Sequence, residues 1–164
     1  MPDIVEPHVR SRMMAGIRGR DTRPELILRR TLHARGFRYR LHVRELPGTP
    51  DLVLPRHRAA VFVNGCFWHR HENCRYCSTP STRAEFWAAK FAGTVARDSR
   101  ALAALQADGL RTAVVWECGL AANTADETVD RLVAWLTSAS QAIVLPPRPP
   151  RLRSVPAASA TSAG

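Results

Sequence analysis

The sequence has almost no lysine, few acidic residues and no long apolar run. Lys90 is the single lysine among 24 basic residues, which stand against 14 acidic ones. No stretch approaches the ~18 apolar residues of a membrane-spanning helix, which argues against such a span. The first ten residues lack the apolar core of a signal peptide. We therefore expect a cytoplasmic protein whose four cysteines are reduced and favour a metal site over disulfides.

The formal net charge is +10 and the pI is near 11.0. A balance this basic indicates a polyanionic partner, nucleic acid above all. A genomic preference for arginine codons would account for part of the charge, because lysine is nearly absent. It does not account for the shortage of acidic residues, so nucleic-acid binding is the favoured interpretation.

The 164 residues suffice for one domain with a sizeable core. Residues 1–20 carry scattered arginines and predict either a basic arm that orders on binding or a frayed terminus. Residues 21–144 form the predicted domain. From Leu145 the composition changes to proline, arginine, serine and alanine without periodicity, so residues 145–164 predict a disordered tail.

Three Thr-x-x-Glu sequences predict helix starts at Thr22, Thr82 and Thr124. The first helix should end near Gly36, the second near Asp108 before Gly109, and the third near Leu136. Apolar residues at helical spacing predict the buried face of the second helix: Phe86, Phe91, Val95, Leu102 and Leu105. Alternating or apolar β-branched runs predict strands at Phe37–Val43, Asp51–Leu54, Ala59–Val63 and Arg111–Trp116. The order indicates a mixed α/β domain with one central sheet.

The stretch Val61–Cys77, VFVNGCFWHRHENCRYC, begins as a strand and continues as a cluster of metal-type ligands. Soft ligands at these spacings suit tetrahedral Zn²⁺. Cys118 follows a buried strand and could close the site. The four ligand positions of a zinc ion therefore have six candidates: Cys66, His69, His71, Cys74, Cys77 and Cys118. Spacing alone does not choose among them, and ordinary buried thiols remain the alternative.

Three further residues have both a catalytic and a simpler interpretation. Asp51 opens a strand and could hold Mg²⁺, or it is a turn aspartate. His69 could be a general base, since an unperturbed histidine has a pKa of about 6.5, or it is a zinc ligand or a surface histidine. Glu25 best fits the cap of its own helix on local evidence.

Aromatic side chains lie directly beside the ligands. Phe67 and Trp68 stand between them, and Trp87 lies near the start of the long helix. Apolar wedges of this kind unstack a base step, at a cost that a mismatched step lowers. Core packing is the alternative, and it fits Phe86 better than the Phe67–Trp68 pair.

Several blocks together resemble one family, the very short patch repair (Vsr) endonucleases. The matching blocks are RDTRPE (Arg20–Glu25), LPGTPD (Leu46–Asp51), VFVNGCFWH (Val61–His69), TRAEFW (Thr82–Trp87) and VVWEC (Val114–Cys118). The resemblance implies a restriction-endonuclease-like α/β fold and a nick on the 5′ side of thymine in T:G mispairs. Such mispairs arise from deaminated 5-methylcytosine, so a cytosine-5 DNA methyltransferase would be the companion enzyme. A single-strand nick needs only a monomer, and we expect the protein to act at the nucleoid.

The resemblance assigns roles to single residues. Asp51 and the Val63 carbonyl would bind Mg²⁺, His69 would activate water, and Glu25 would position metal-bound water instead of only capping. The structural zinc would be held by Cys66, His71, Cys74 and Cys118, with Cys77 as a spare thiol. The predicted DNA contacts are Phe67, Trp68, Trp87, Met14, Ile17 and Lys90.

Two departures from the family pattern matter. Asn64 stands where many members have histidine, and asparagine cannot shuttle a proton. The altered loop after His71 leaves the choice between Cys74 and Cys77 open.

A restriction-type nuclease of the same fold and a non-catalytic zinc DNA-binding protein are the alternative functions. Flanking-base preference depends on groove contacts that the sequence does not specify.

Overall fold

The computed structural model describes residues 19–147 and, before them, His8 alone. The predicted contacts Met14 and Ile17 lie outside the described residues. Three helices are described, at Arg23–Ala34 (α1), Ala84–Ala107 (α2) and Ala125–Leu136 (α3). The described strands are Arg40–Leu41 (β1), Leu52–Leu54 (β2), Ala59–Asn64 (β3), Arg111–Trp116 (β4) and Ala142–Leu145 (β5). Among the described helices, none is long and apolar enough to cross a membrane.

The strands form one mixed sheet in the order β1-β2-β3-β4-β5. β1, β2 and β3 pair antiparallel, through contacts such as Leu52 with Val61. β3, β4 and β5 pair parallel, and Val63 lies opposite Val115. The crossovers are α2, between β3 and β4, and α3, between β4 and β5. A mixed α/β domain with a central sheet is therefore confirmed.

The main core lies between this sheet and the helices α1 and α3. Leu28 and Leu32 of α1 and Leu132 of α3 meet Val61 and Val115 of the sheet, all of them fully buried. Burying each such side chain stabilises the fold by ~1.5–3 kcal/mol. This packing leaves the carboxyl end of β3 free to carry polar groups.

Of the three predicted capping boxes, only the first forms. Thr22 accepts the Glu25 N–H and caps α1. Helix α2 begins at Ala84, after Arg83 in a left-handed conformation at φ 53, and it has no side-chain cap. The chain reverses at Arg83, so Thr82 is not at the capping position. Before α3, the Thr124 hydroxyl instead donates to the Cys118 carbonyl at 3.0 Å.

The apolar stripe of α2 is only partly buried. Phe91 is buried, but Phe86 and Val95 are 45% and 41% exposed, so the core interpretation of Phe86 is wrong. The 24 residues of α2 span roughly 36 Å. The six-residue strand β4 beneath it spans only about 20 Å. The helix is therefore longer than the strand beneath it, and Phe86 in its first turn stays exposed.

The sheet also extends further along the chain than the sequence predicts. Strand β5 was not expected, and its last residue, Leu145, is 2% exposed. Because Leu145 is buried against the core, the boundary with the predicted tail moves beyond it. Residues 148–164 lie outside the described part of the chain.

Gly48, in the loop between β1 and β2, is pressed against helix α2. Its φ is 75, and an added Cβ would lie 2.6 Å from the Ala101 Cβ and 3.2 Å from the Phe62 ring. Only glycine fits both this backbone conformation and this approach. The loop therefore lies fixed against α2, at the edge of a cleft that opens at the carboxyl end of β3.

Candidate active site and metal centre

A cleft of about 1080 Å³ opens at the carboxyl end of β3, between the start of α1 and the middle of α2. It brings together residues that are far apart in sequence. Its polar lining includes Arg20, Glu25, His42, Arg44, Asp51, Asn64, His69, Arg97, Asp98 and Glu117. All three residues predicted to be catalytic, Glu25, Asp51 and His69, line this one cleft.

Asp51 lies directly before β2 and reaches the end of β3. Its Oδ2 accepts the Val63 N–H at 2.7 Å. The pKa of Asp51 is raised to about 6, mainly by burial and also by the nearby Glu25 charge, against the lowering effect of the Val63 hydrogen bond. A carboxylate held in this way is stabilised by a nearby cation. The structure thus brings the two residues predicted to bind Mg²⁺ into contact.

Glu25 both caps its helix and faces the cleft. Its carboxylate accepts the Asp21 N–H at 2.9 Å and the Thr22 hydroxyl at 3.1 Å. Its side chain is 4% exposed, and its Oε2 lies 3.8 Å from His42 Nε2. The capping and the catalytic interpretations of Glu25 are therefore compatible.

His42 lies between the carboxylates of this cluster. Its Nε2 is 3.4 Å from Asp21 Oδ1, and its Nδ1 is 3.9 Å from Asp51 Oδ1. Arg29 lies 2.7 Å from the same Asp21 oxygen, and its hydrogen bond lowers the pKa of Asp21. Asp21 and His42 both have left-handed backbones, with φ 56 and 47. Such conformations concentrate at functional sites, where the surrounding structure holds them in place.

His69 is paired with a carboxylate across the cleft. Its Nδ1 lies 2.6 Å from Oδ2 of Asp98, which α2 contributes. The His69 N–H also donates to the Gly65 carbonyl at 3.1 Å. With Nδ1 held by a carboxylate, Nε2 is the ring nitrogen free to accept a proton. The arrangement is that of an oriented general base.

Behind the cleft, four buried side chains form a second centre. Single ligand atoms of Cys66, His71, Cys74 and Cys118 all lie within 4.8 Å of one another. His71 Nδ1 is 3.5 Å from Cys66 Sγ and 3.4 Å from Cys118 Sγ. The N-to-S edge of a tetrahedral zinc site is about 3.6 Å. This group could hold a metal ion, whereas Cys77 packs beside it without joining it.

The protonation of this centre is consistent with metal binding. Burial lowers the pKa of His71, which keeps the imidazole neutral. The His71 ring stacks on Trp116 at 4.3 Å and 4° between planes. Contact with Cys118 and burial both raise the pKa of Cys66. Thiols crowded in this way are stabilised by a dication, which they bind as thiolates with release of protons.

Glu117 connects the two centres. Its Oε1 accepts the Cys66 N–H at 3.0 Å, and its side chain also lines the cleft. The His71 N–H donates to the Cys66 carbonyl at 3.0 Å. The turn that carries the cluster is therefore tied to the end of β4.

An aromatic cluster stands at the rim of the cleft. Phe67 lies 5.0 Å from Trp68, 5.8 Å from Trp87 and 5.3 Å from Phe91, all edge to face. Lys90 Nζ lies 5.2 Å from the Trp68 ring and 5.6 Å from the Trp87 ring. The structure thus groups the predicted DNA contacts that fall among the described residues: Phe67, Trp68, Trp87 and Lys90. Phe86, 5.5 Å from Trp87, extends this group as an exposed ring.

Sequence reasoning missed His42, Asp98 and Glu117. His42 lies in an alternating basic stretch, which predicts the solvent-exposed face of a strand. Asp98 lies among polar residues of a long helix and is 29 residues from its partner. Glu117 lies in the block VVWEC, where only Cys118 was predicted to have a role. The block resemblance was the one signal available for that residue.

A nuclease is the class of protein that this cleft, its lining of carboxylates, histidines and arginines, and its aromatic rim define. The comparisons with known proteins agree. The family model described as "DNA mismatch endonuclease Vsr" matches residues 2–75. A type II nicking enzyme, V.XorIIP of Xanthomonas oryzae pv. oryzae, is 48% identical over 120 residues, which cover 73% of this chain and 88% of the relative.

Two further relatives fit the same pattern. The DNA mismatch endonuclease Vsr of Escherichia coli is 38% identical over 139 residues, covering 83% of this chain and 88% of the relative. The type II nicking enzyme V.NmeAIP of Neisseria meningitidis is 37% identical over 120 residues, covering 73% and 85%. The chain belongs to the Vsr family of DNA mismatch endonucleases. The predicted nuclease class and its link to DNA repair are thereby confirmed.

Proposed function

We propose that this protein nicks one DNA strand on the 5′ side of the thymine in T:G mispairs, by Mg²⁺-assisted hydrolysis of the phosphodiester bond. The observation that carries the proposal is the single cleft that holds Asp51 against Val63 and His69 against Asp98, next to a half-buried aromatic rim. A protein that only binds DNA has no need for an oriented general base. The pair therefore argues against the non-catalytic alternative.

The donor set at Asp51 fits a hard cation. The carboxylate is largely buried and carries a raised pKa, so it gains from a positive charge. Its oxygens and the Val63 carbonyl would hold Mg²⁺, because this ion prefers oxygen ligands. When bound, Mg²⁺ would stabilise the negative charge that develops on the phosphate. Glu25 would orient water on the opposite side of the site.

His69 acts as the general base in this proposal. Asp98 holds Nδ1–H, so Nε2 accepts the proton of the attacking water and Asp98 stabilises the resulting imidazolium. General-base catalysis of this kind contributes about 10²–10⁴-fold to the rate. Asn64 lines the same cleft at 8% exposure, but its amide only donates or accepts hydrogen bonds. The proton therefore moves through His69.

The aromatic rim would enter the base stack beside the mispair. Inserting a wedge costs a few kcal/mol per base step, and a mispaired step costs less than a matched one. Phe67, Trp68 and Trp87 form the wedge, and Lys90 at its edge would contact the DNA. Met14 and Ile17 of the N-terminal arm would enter from the other groove.

Zinc at Cys66, His71, Cys74 and Cys118 would be structural. All four residues are buried, so no position is open to substrate. The ion would tie the segment that carries His69 and the wedge to the end of β4, close to Glu117.

The wider setting belongs to the same proposal. The mixed sheet with its active site at the end of β3 is consistent with a restriction-endonuclease-like fold. A single nick needs only one such cleft, so a monomer suffices. The T:G substrate implies a companion cytosine-5 DNA methyltransferase and action at the nucleoid in the cytoplasm.

The test is a nicking assay on two duplexes that differ only in T:G or C:G at one position. We expect a Mg²⁺-dependent single-strand cut 5′ of the thymine in the T:G duplex alone, lost in Asp51→Ala. Equal cleavage of the C:G duplex would favour a restriction-type nuclease instead. Binding without cleavage of either duplex would favour a zinc DNA-binding protein.

A further inference from the structure

Arg70 lies between the general base His69 and the metal-cluster residue His71, and its side chain points into the aromatic rim. Its guanidinium carbon lies 4.0 Å from the centre of the Phe91 ring and 5.9 Å from that of Phe67. Its Nη1 donates to the Phe67 carbonyl at 3.3 Å. One side chain therefore contacts both the backbone and the ring of a wedge residue, and also helix α2.

The same guanidinium fixes the loop that leads into α2. Nη1 donates to the Ser78 carbonyl and Nη2 to the Thr79 hydroxyl, each at 2.9 Å. That loop connects the metal cluster with the helix that carries Trp87 and Lys90. Arg70 thus joins the segment with Phe67 and Trp68 to the helix with Trp87.

The backbone at Arg70 is held in an uncommon conformation. Its φ is 58, in the left-handed region, which non-glycine residues adopt only where the surroundings hold them. The turn between His69 and His71 uses this conformation to send their side chains to two different centres. The Arg70 side chain leaves from that same turn toward the rim.

We propose that Arg70 is a positioning residue that holds the two halves of the aromatic wedge in register before DNA arrives. The inference rests on the proposed function, because it assumes that the rim enters the base stack. The planar guanidinium of Arg70 donates to two loop oxygens while its face covers the Phe91 ring, a combination that lysine cannot reproduce. A wedge fixed in advance loses less conformational freedom on binding.

The alternative role for an arginine here is a direct phosphate contact, and salt dependence separates the two. Removing a phosphate contact lowers the slope of log K against log salt by about 0.9. A positioning residue leaves that slope unchanged and instead lowers the rate and the unstacking of the base step. Its fork is already occupied by Phe67, Ser78 and Thr79, which favours positioning.

The experiment compares wild type, Arg70→Ala and Arg70→Lys with Arg75→Ala as the matched control. Arg75 lies in the same loop and carries the same charge, but its guanidinium stacks on its own neighbour Tyr76 at 4.7 Å. Each protein is assayed for zinc content, for single-turnover nicking of the T:G duplex, and for the fluorescence of 2-aminopurine placed beside the mispair. Binding is measured at several salt concentrations.

For Arg70→Ala we expect full zinc content, an unchanged salt slope, weaker 2-aminopurine fluorescence and nicking slower by about 10- to 100-fold, the usual cost of a misplaced site. Arg70→Lys should fall between Arg70→Ala and wild type, and Arg75→Ala should match wild type.

A lowered salt slope in Arg70→Ala, or equal rates in Arg70→Ala and Arg75→Ala, would overturn the positioning role. If Arg70→Ala loses zinc, Arg70→Lys takes its place in the comparison. Failure of wild type to nick the T:G duplex would overturn the proposed function, and the positioning role with it.

Discussion

His69 Nδ1 lies 2.6 Å from Asp98 Oδ2, so a residue at the start of the metal-binding turn is oriented by the middle of a helix 29 residues later. Both side chains are partly exposed to the cleft, at 29% and 33%. The contact occupies Nδ1 of His69, which lines the same cleft as Asp51. Helix α2 thereby positions the predicted general base as well as part of the aromatic rim.

The first prediction concerns this pair. In Asp98→Asn the side-chain amide no longer stabilises the imidazolium, so single-turnover nicking should fall by about 10- to 100-fold, and in His69→Ala by about 10²–10⁴-fold. Asp108→Asn, an exposed change at the end of the same helix, is the control and should keep full activity. An Asp98→Asn rate equal to that of Asp108→Asn would show that the pairing does not contribute to catalysis.

The second prediction concerns Asp51 and pH. Burial raises its pKa from 3.8 to about 6 in the folded protein, so ionising it costs folding stability as pH rises through that interval. Asp51→Asn removes the cost while still accepting the Val63 N–H. In the absence of added Mg²⁺, the variant should therefore be more stable than wild type by up to about 3 kcal/mol above pH 6.

Urea denaturation at pH 5 and pH 7.5 measures this difference. The advantage of Asp51→Asn should shrink at the lower pH, because wild-type Asp51 is then largely protonated in the folded state. The variant should be inactive at both values. A wild type that is more stable than Asp51→Asn at pH 7.5 without Mg²⁺ would contradict the prediction.

The third prediction separates the two roles of Glu25. Glu25→Gln can still accept the Asp21 N–H, as glutamine does in a capping box, so the start of α1 should be retained and stability should fall by no more than about 1 kcal/mol. Nicking should nevertheless fall at least tenfold, since the charge facing the cleft is gone. Thermal unfolding and the nicking rate measured on the same sample give the two readouts. A variant with full activity would leave Glu25 as a helix cap alone.

The fourth prediction concerns the choice of thiol. Cys74 belongs to the group with Cys66, His71 and Cys118, whereas Cys77 lies beside it. Cys74→Ser should therefore lose bound zinc on purification, while Cys77→Ser should retain one ion per chain. Metal analysis of both variants is the measurement. Zinc lost only from Cys77→Ser would show that the loop rearranges when the ion binds.

Local pattern predicted most of the fold. Apolar runs located β2, β3 and β4, and glycines at 36 and 109 marked the ends of the first two helices. The pattern failed where tertiary contacts decide the outcome. Thr82 lies one residue before the cap position of α2, and Thr124 occupies the cap position of α3 but donates its hydroxyl to the Cys118 carbonyl. The run AIVL of β5 was obscured by the prolines after it.

The site divides in the same way. Asp51, Glu25, His69 and the cysteines carry their chemistry in their residue type, and the family blocks brought them to attention. His42 and Asp98 gain a role only through packing, the first from the residue directly after a short edge strand and the second from one face of a long helix. No local sequence signal marks either of them.

The close approach of Gly48 to Ala101 has a mechanical consequence. With no room for even a methyl group between loop and helix, that wall of the cleft is closely packed and resists displacement when a duplex is pressed against it. Under the proposed function, the DNA and not the protein must then change shape when the two bind. A stiff, well-stacked duplex resists such distortion, whereas one weakened by a mispair gives way at lower energy. The tight packing at Gly48 would thus help the enzyme to distinguish mispaired from matched DNA by its deformability as well as by base contacts.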